Sequence, residues 1–81
     1  MPPTDPDDLD IIRRALGLDR AAVPYRNHYP ARGDDPQARR MLERGLLRRG
    51  IGAPGGLVLF QVTEAGARLV GATLPALSPR G

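Results

Sequence analysis

The chain contains no cysteine and no lysine, and only one histidine, His28. Without cysteine there is neither a disulfide nor a thiolate metal site, which fits a reducing compartment. With no second histidine, His28 has no partner from which to build a metal site or an activated nucleophile. No apolar run approaches the roughly 20 residues that cross a bilayer. The N-terminus is acidic and proline-bearing rather than basic and then apolar, unlike a secretory signal. A disulfide scaffold, a membrane-spanning protein and an exported one are therefore all disfavoured. Eighty-one residues make one small domain. A chain of that size buries roughly 60–65% of the surface its unfolded state exposes, so its core is marginal or helped by a partner.

The absence of lysine makes all twelve basic residues arginine. Codon usage in a GC-rich genome accounts for this. So does selection for bidentate contacts to phosphate or carboxylate, which a guanidinium makes and an ammonium does not; the two are compatible. The net charge of +3 conceals an asymmetry. Asp5, Asp7, Asp8 and Asp10 fall in the first ten residues with no base among them. The remaining 71 residues hold twelve bases against five acids, a net of +7.

Beyond a leader at 1–4, Asp5 reads as a helix cap with Pro6 at the first helical position. Asp7 and Asp8 follow in the first turn, where the helix dipole favours negative charge. Leu9, Ile11, Ile12, Ala15 and Leu16 form an apolar stripe, Asp10 and Arg14 pair at i, i+4, and Gly17 ends the helix. Residues 18–35 are too rich in proline and glycine for a regular helix. One turn after Asp19 is expected to stop at Pro24. Tyr25-Arg26-Asn27-His28-Tyr29 then forms an irregular segment that packs down onto the domain. For His28 a structural hydrogen bond is the expected role. Arg26 and Asn27 either tie this irregular backbone to the helices or meet a base edge or phosphate.

Asp34 or Asp35 caps the next helix ahead of Pro36, which makes them helix-start residues rather than an acid–base pair. Ala38, Met41 and Leu42 make its buried stripe, while Gln37, Arg39, Arg40, Glu43 and Arg44 fall outside, and Gly45 ends it. Residues 46–51 and 57–62 read as an antiparallel hairpin around a turn at 52–56, with Val58, Phe60 and Val62 facing inward. Thr63 caps a last helix that buries Ala65, Leu69 and Val70, pairs Glu64 with Arg68, and closes at Gly71. Residues 72–81 are expected to be a weakly ordered tail. The domain thus runs 5–71.

The segment Met41-Leu42-Glu43-Arg44-Gly45-Leu46-Leu47-Arg48-Arg49, a glycine-rich tip, and Phe60-Gln61-Val62-Thr63-Glu64-Ala65-Gly66 resembles the end of a winged-helix domain of the MarR-like kind. That resemblance covers 36–71. It implies an α+β fold of three helices with a C-terminal two-stranded hairpin, the wing, before the last helix. Over about residues 9–70 the chain also resembles a group of small uncharacterised bacteriophage and prophage proteins. The residues that carry this are Ala15-Leu16-Gly17-Leu18, Tyr25-Arg26-Asn27-His28-Tyr29 and Val62-Thr63-Glu64-Ala65-Gly66. This resemblance implies a phage-related origin and a place in the bacterial cytoplasm, and it brings no activity. One departure stands out. A DNA-reading winged helix sets a helix and tight turn before its recognition helix, where this chain has its Pro- and Gly-rich stretch 23–33.

Arg39, Arg40, Arg44, Arg48 and Arg49 lie within eleven residues and form the expected nucleic-acid footprint, joined by Arg26 and Arg32 if the surface is continuous. Two functions follow as expectations. One is a nucleic-acid-binding protein, with transcriptional regulation as its role. The other is a protein-interaction module docking onto a host or phage protein. Nothing in the residue pattern points to an enzyme, a cofactor, a metal or a small-molecule ligand.

Overall fold

A computed structural model describes residues 6–74. The elements are α1 (Pro6–Leu16), β1 (Tyr29–Arg32), α2 (Pro36–Glu43), β2 (Leu47–Arg48), β3 (Gly52–Ala53), a 3-10 turn (Pro54–Gly56), β4 (Leu57–Val62) and α3 (Glu64–Leu69). The fold is α+β, three helices on a small antiparallel sheet. The leader, the Asp5 cap and residues 75–81 of the expected tail lie outside the described residues.

β4 is the centre of the sheet, with β1 on one side and β2 and β3 on the other. The second hairpin strand spans 57–62 as the alternation predicts, with Phe60 and Val62 buried and Val58 partly buried against the core. The first strand differs from the expected continuous run. It is split into β2 and β3 with a bulge between them. Arg48 faces Gln61 and Gly52 faces Val58, so three residues on one strand lie opposite two on the other. Gly50 sits in that bulge because a Cβ there would collide with the carbonyl oxygen of Leu59. The tip is also shorter than the glycine cluster suggests. Gly52 and Ala53 pair with β4, leaving Pro54–Gly56 to turn the chain, with Gly55 and Gly56 at positive φ.

The larger correction is β1. Residues 29–32, expected to be irregular, pair with β4 from Tyr29↔Phe60 to Arg32↔Leu57. A two-stranded hairpin is thereby widened into a sheet with a strand contributed from before α2. Pro30 obscures this strand in the sequence, yet a proline is compatible with an edge strand, where its missing N–H breaks no ladder bond. Among the described residues, β1 and the turn after it hold the place where a helix-turn-helix would put its first helix.

The core comprises Ile11, Ile12, Ala15, Leu16, Ala38, Met41, Leu46, Leu47, Phe60, Val62 and Ala67. It lies between the Phe60 face of the sheet and the apolar stripes of the helices. α3 is rotated from its expected setting. Gly66 and Ala67 are buried, whereas Ala65 is exposed and Leu69 is 37% exposed. Gly66 explains the rotation, since a Cβ there would stand 2.5 Å from the Leu46 carbonyl oxygen. The helix packs its glycine against the strand entry and turns Leu69 outward. The packed body continues past Gly71. The Ala72 N–H donates to the Ala67 carbonyl, and Ala72 and Leu74 rest on the core.

Candidate nucleic-acid interface

Asp35, rather than Asp34, starts α2. Its carboxylate accepts from the Ala38 N–H at 2.9 Å, with Pro36 at the first position. Asp34 instead lies 3.5 Å from Arg32 on the surface. Ala38 and Met41 are fully buried, and this sets the rotation of the helix. Pro36, Arg39, Arg40 and Glu43, spaced i, i+3, i+4, i+7, therefore share the exposed side. With Asp34 they line a shallow surface depression. Among the described residues neither Arg39 nor Arg40 has a side-chain hydrogen bond or ion pair, and the same holds for Glu43.

The other expected contact residues are engaged to differing degrees. Arg44 turns back to α1, where its Nη1 donates to Asp8 Oδ2 at 3.1 Å. Gln37, also expected on the outer side, donates to Asp8 Oδ1 at 3.1 Å. Asp8 is only 5% exposed, so this carboxylate is a buried anchor between α1 and α2 as well as a first-turn acid. Arg49 donates to the Gly33 carbonyl at 3.2 Å, with its guanidinium carbon 5.6 Å from the centre of the Phe60 ring. Arg48 donates to Gln61 Oε1 across the strand pair. Arg32, Arg39, Arg40 and Arg49 are thus gathered around the turn at 33–36. Arg26 is not part of that group, because it lines a separate depression with Arg14, His28, Tyr29 and Pro30.

The Tyr25–Tyr29 segment is a clip. Arg26 Nε and Nη2 both donate to the Arg14 carbonyl, at 3.2 and 2.9 Å, and its Nη2 lies 3.7 Å from Asp19. The Tyr25 and His28 N–H groups donate to the carbonyls of Leu16 and Ala15. The orphan carbonyls at the end of α1 are met in this way. The Tyr25 ring lies against Gly17, where a Cβ would enter it. Asn27 accepts from the Val62 N–H at 2.7 Å and donates to the Val62 carbonyl at 3.0 Å. The structural role of Arg26 and Asn27 is the one these bonds show. His28 takes part through its backbone, while its side chain is exposed. Burial pushes the Tyr29 phenol above the ordinary tyrosine range; Asp35 and Asp10 add to the effect and Arg14 opposes it.

In the sequence Asp8 reads only as a helix-start acid, and one signal of its larger role lies in its spacing. It falls three and four residues before Ile11 and Ile12, on the same stripe. Its partners were not legible, since Gln37 and Arg44 lie on another helix. No helix among the described residues is long and apolar enough to cross a membrane. The chain matches no protein-family model, no curated protein and no solved structure.

Proposed function

We propose that this protein is a small winged-helix-like nucleic-acid-binding protein that contacts duplex DNA with the exposed side of α2 and the base of the hairpin. The observation that carries this reading is the pair Arg39 and Arg40, two exposed guanidiniums without a side-chain partner among the described residues, on the helix that feeds the hairpin. A helix closed by glycine, a hairpin, and a threonine-capped helix leaving it make up the wing half that the sequence resembles. Arg49 and Arg32 add charge beside that face, and Arg48 adds charge at the base of the hairpin. Arg44 belongs to the scaffold, since Asp8 already holds it, and Arg26 belongs to the clip. Transcriptional regulation in a phage-bearing bacterial cytoplasm is the role that fits this reading.

A salt-titrated anisotropy measurement on duplex DNA tests it. Each phosphate contact adds about −0.9 to the log–log salt slope, so the slope should lie between about −2 and −4.5, for two to five engaged arginines. An Arg39→Ala/Arg40→Ala variant should weaken binding and flatten the slope, by nearly two units where both arginines meet phosphates. No binding at about 50 mM salt, where such contacts are strongest, would sink the reading.

A protein-docking role has its own observation. Val23 is 69% and Tyr25 55% exposed, and Val23 borders an apolar depression lined also by Leu18, Pro24, Val70 and Leu74. If docking is the function, Val23→Asp abolishes partner capture and leaves any DNA affinity untouched.

A further inference from the structure

We propose that α2 reads base edges and selects G·C pairs, rather than holding phosphates alone; this rests on the duplex-binding reading above. The exposed side of the helix combines Arg39 and Arg40 with Glu43, and no ion pair joins the acid to either base among the described residues. A surface built for phosphate alone gains nothing from a carboxylate beside its two guanidiniums, because Glu43 repels the same anions that the arginines attract. Base edges in the major groove remove that conflict. Guanine presents O6 and N7, two acceptors that a guanidinium fork grips together, and cytosine presents an N4 amine that a carboxylate accepts from. An arginine and a glutamate together complement one G·C pair.

The chain's amides point the same way. Adenine is read by an asparagine or glutamine that donates and accepts at once. The sequence has three such residues, Asn27, Gln37 and Gln61. Asn27 is spent on both polar groups of Val62, Gln37 on Asp8, and Gln61 on Arg48. None stands free on α2. The eight residues of α2 measure about 12 Å, enough to follow about three base pairs. The expected target is therefore a short G·C element within a duplex whose flanking phosphates meet Arg32, Arg48 and Arg49.

The test compares the full chain on two duplexes of equal length, one all G·C and one all A·T, by anisotropy across a salt series. The G·C duplex should bind at least about fivefold more tightly, the low end of what a bidentate base contact discriminates. Arg39→Ala/Arg40→Ala removes every guanine-directed donor from this side of α2, so it should erase the preference while the remaining arginines still give weaker, salt-dependent binding. Glu43→Gln places an amide on the same face and should raise the relative affinity for the A·T duplex. Equal affinity for the two duplexes, or a preference for A·T, overturns the inference while leaving duplex binding intact. A preference that survives in the alanine variant also overturns it, because groove shape would then be the cause. Absence of any salt-dependent binding removes the duplex reading itself, and this inference with it.

Discussion

At the residue scale, the two bonds between Asn27 and Val62 fall in register with β1. Tyr29 faces Phe60, so residue 27 faces residue 62, and the Asn27 amide takes the place of the backbone that would continue the ladder. Val62 is fully buried, and replacing Asn27 with alanine would strand both its N–H and its C=O. The expected cost in urea unfolding is about 2–6 kcal/mol, from about one to three per orphaned group. The Asp8–Arg44 pair is asymmetric in burial, with side chains 7% and 38% exposed. Removing Arg44 leaves a buried carboxylate with Gln37 as its one side-chain partner among the described residues, whereas removing Asp8 leaves a guanidinium that water reaches. Arg44→Ala should therefore cost more than Asp8→Ala, about 2 against about 1 kcal/mol after allowing for screening at the exposed end. A double-mutant cycle in the same unfolding assay measures their coupling, and equal single losses would contradict the assigned burial.

At the element scale, the bulge decides the course of the hairpin. The Leu59 N–H donates to the Ile51 carbonyl while Gly50 passes over the Leu59 carbonyl oxygen. The clash that Gly50→Ala introduces is with main chain, which cannot swing aside as a side chain end can. A loss of about 2 kcal/mol is expected, within the range for overpacking, together with faster hydrogen exchange at the Leu59 amide. An unchanged exchange rate would show that the strand absorbs a Cβ. β1 is the outer strand on its side among the described residues, and Pro30 withholds a donor there. That blunts the edge against pairing with another chain. α2 has two distinct sides in eight residues: Ala38 and Met41 pin it to the core, and the side bearing Arg39, Arg40 and Glu43 is exposed.

At the scale of the whole molecule, Phe60 is the largest fully buried side chain, and it lies on the strand that every other strand pairs with. Phe60→Ala should cost about 3–5 kcal/mol. A chain of this length has only about 4–12 kcal/mol in total, so the variant should melt at least about 12 °C lower by circular dichroism or not fold at all. The same marginal core explains why polar ties such as Asp8–Arg44 and Asn27–Val62 carry weight here. A larger domain would drown them in apolar burial. The capping signals in the sequence led directly to structure. Pro6, Asp35 with Pro36, Thr63, and the glycines at 17, 45 and 71 each act within a few residues of themselves. Caps, helix faces and the strand 57–62 are local chemistry, written in neighbouring side chains. β1, the rotation of α3, the engagement of Arg44 and the clipping of Asn27 are not. Each depends on which distant backbone comes alongside: β4 for residues 27–32, the Leu46 carbonyl for Gly66, and α1 for Arg44. The count of arginines was therefore visible from the sequence, but which of them lack a side-chain partner among the described residues was settled only by the packing of the elements around them.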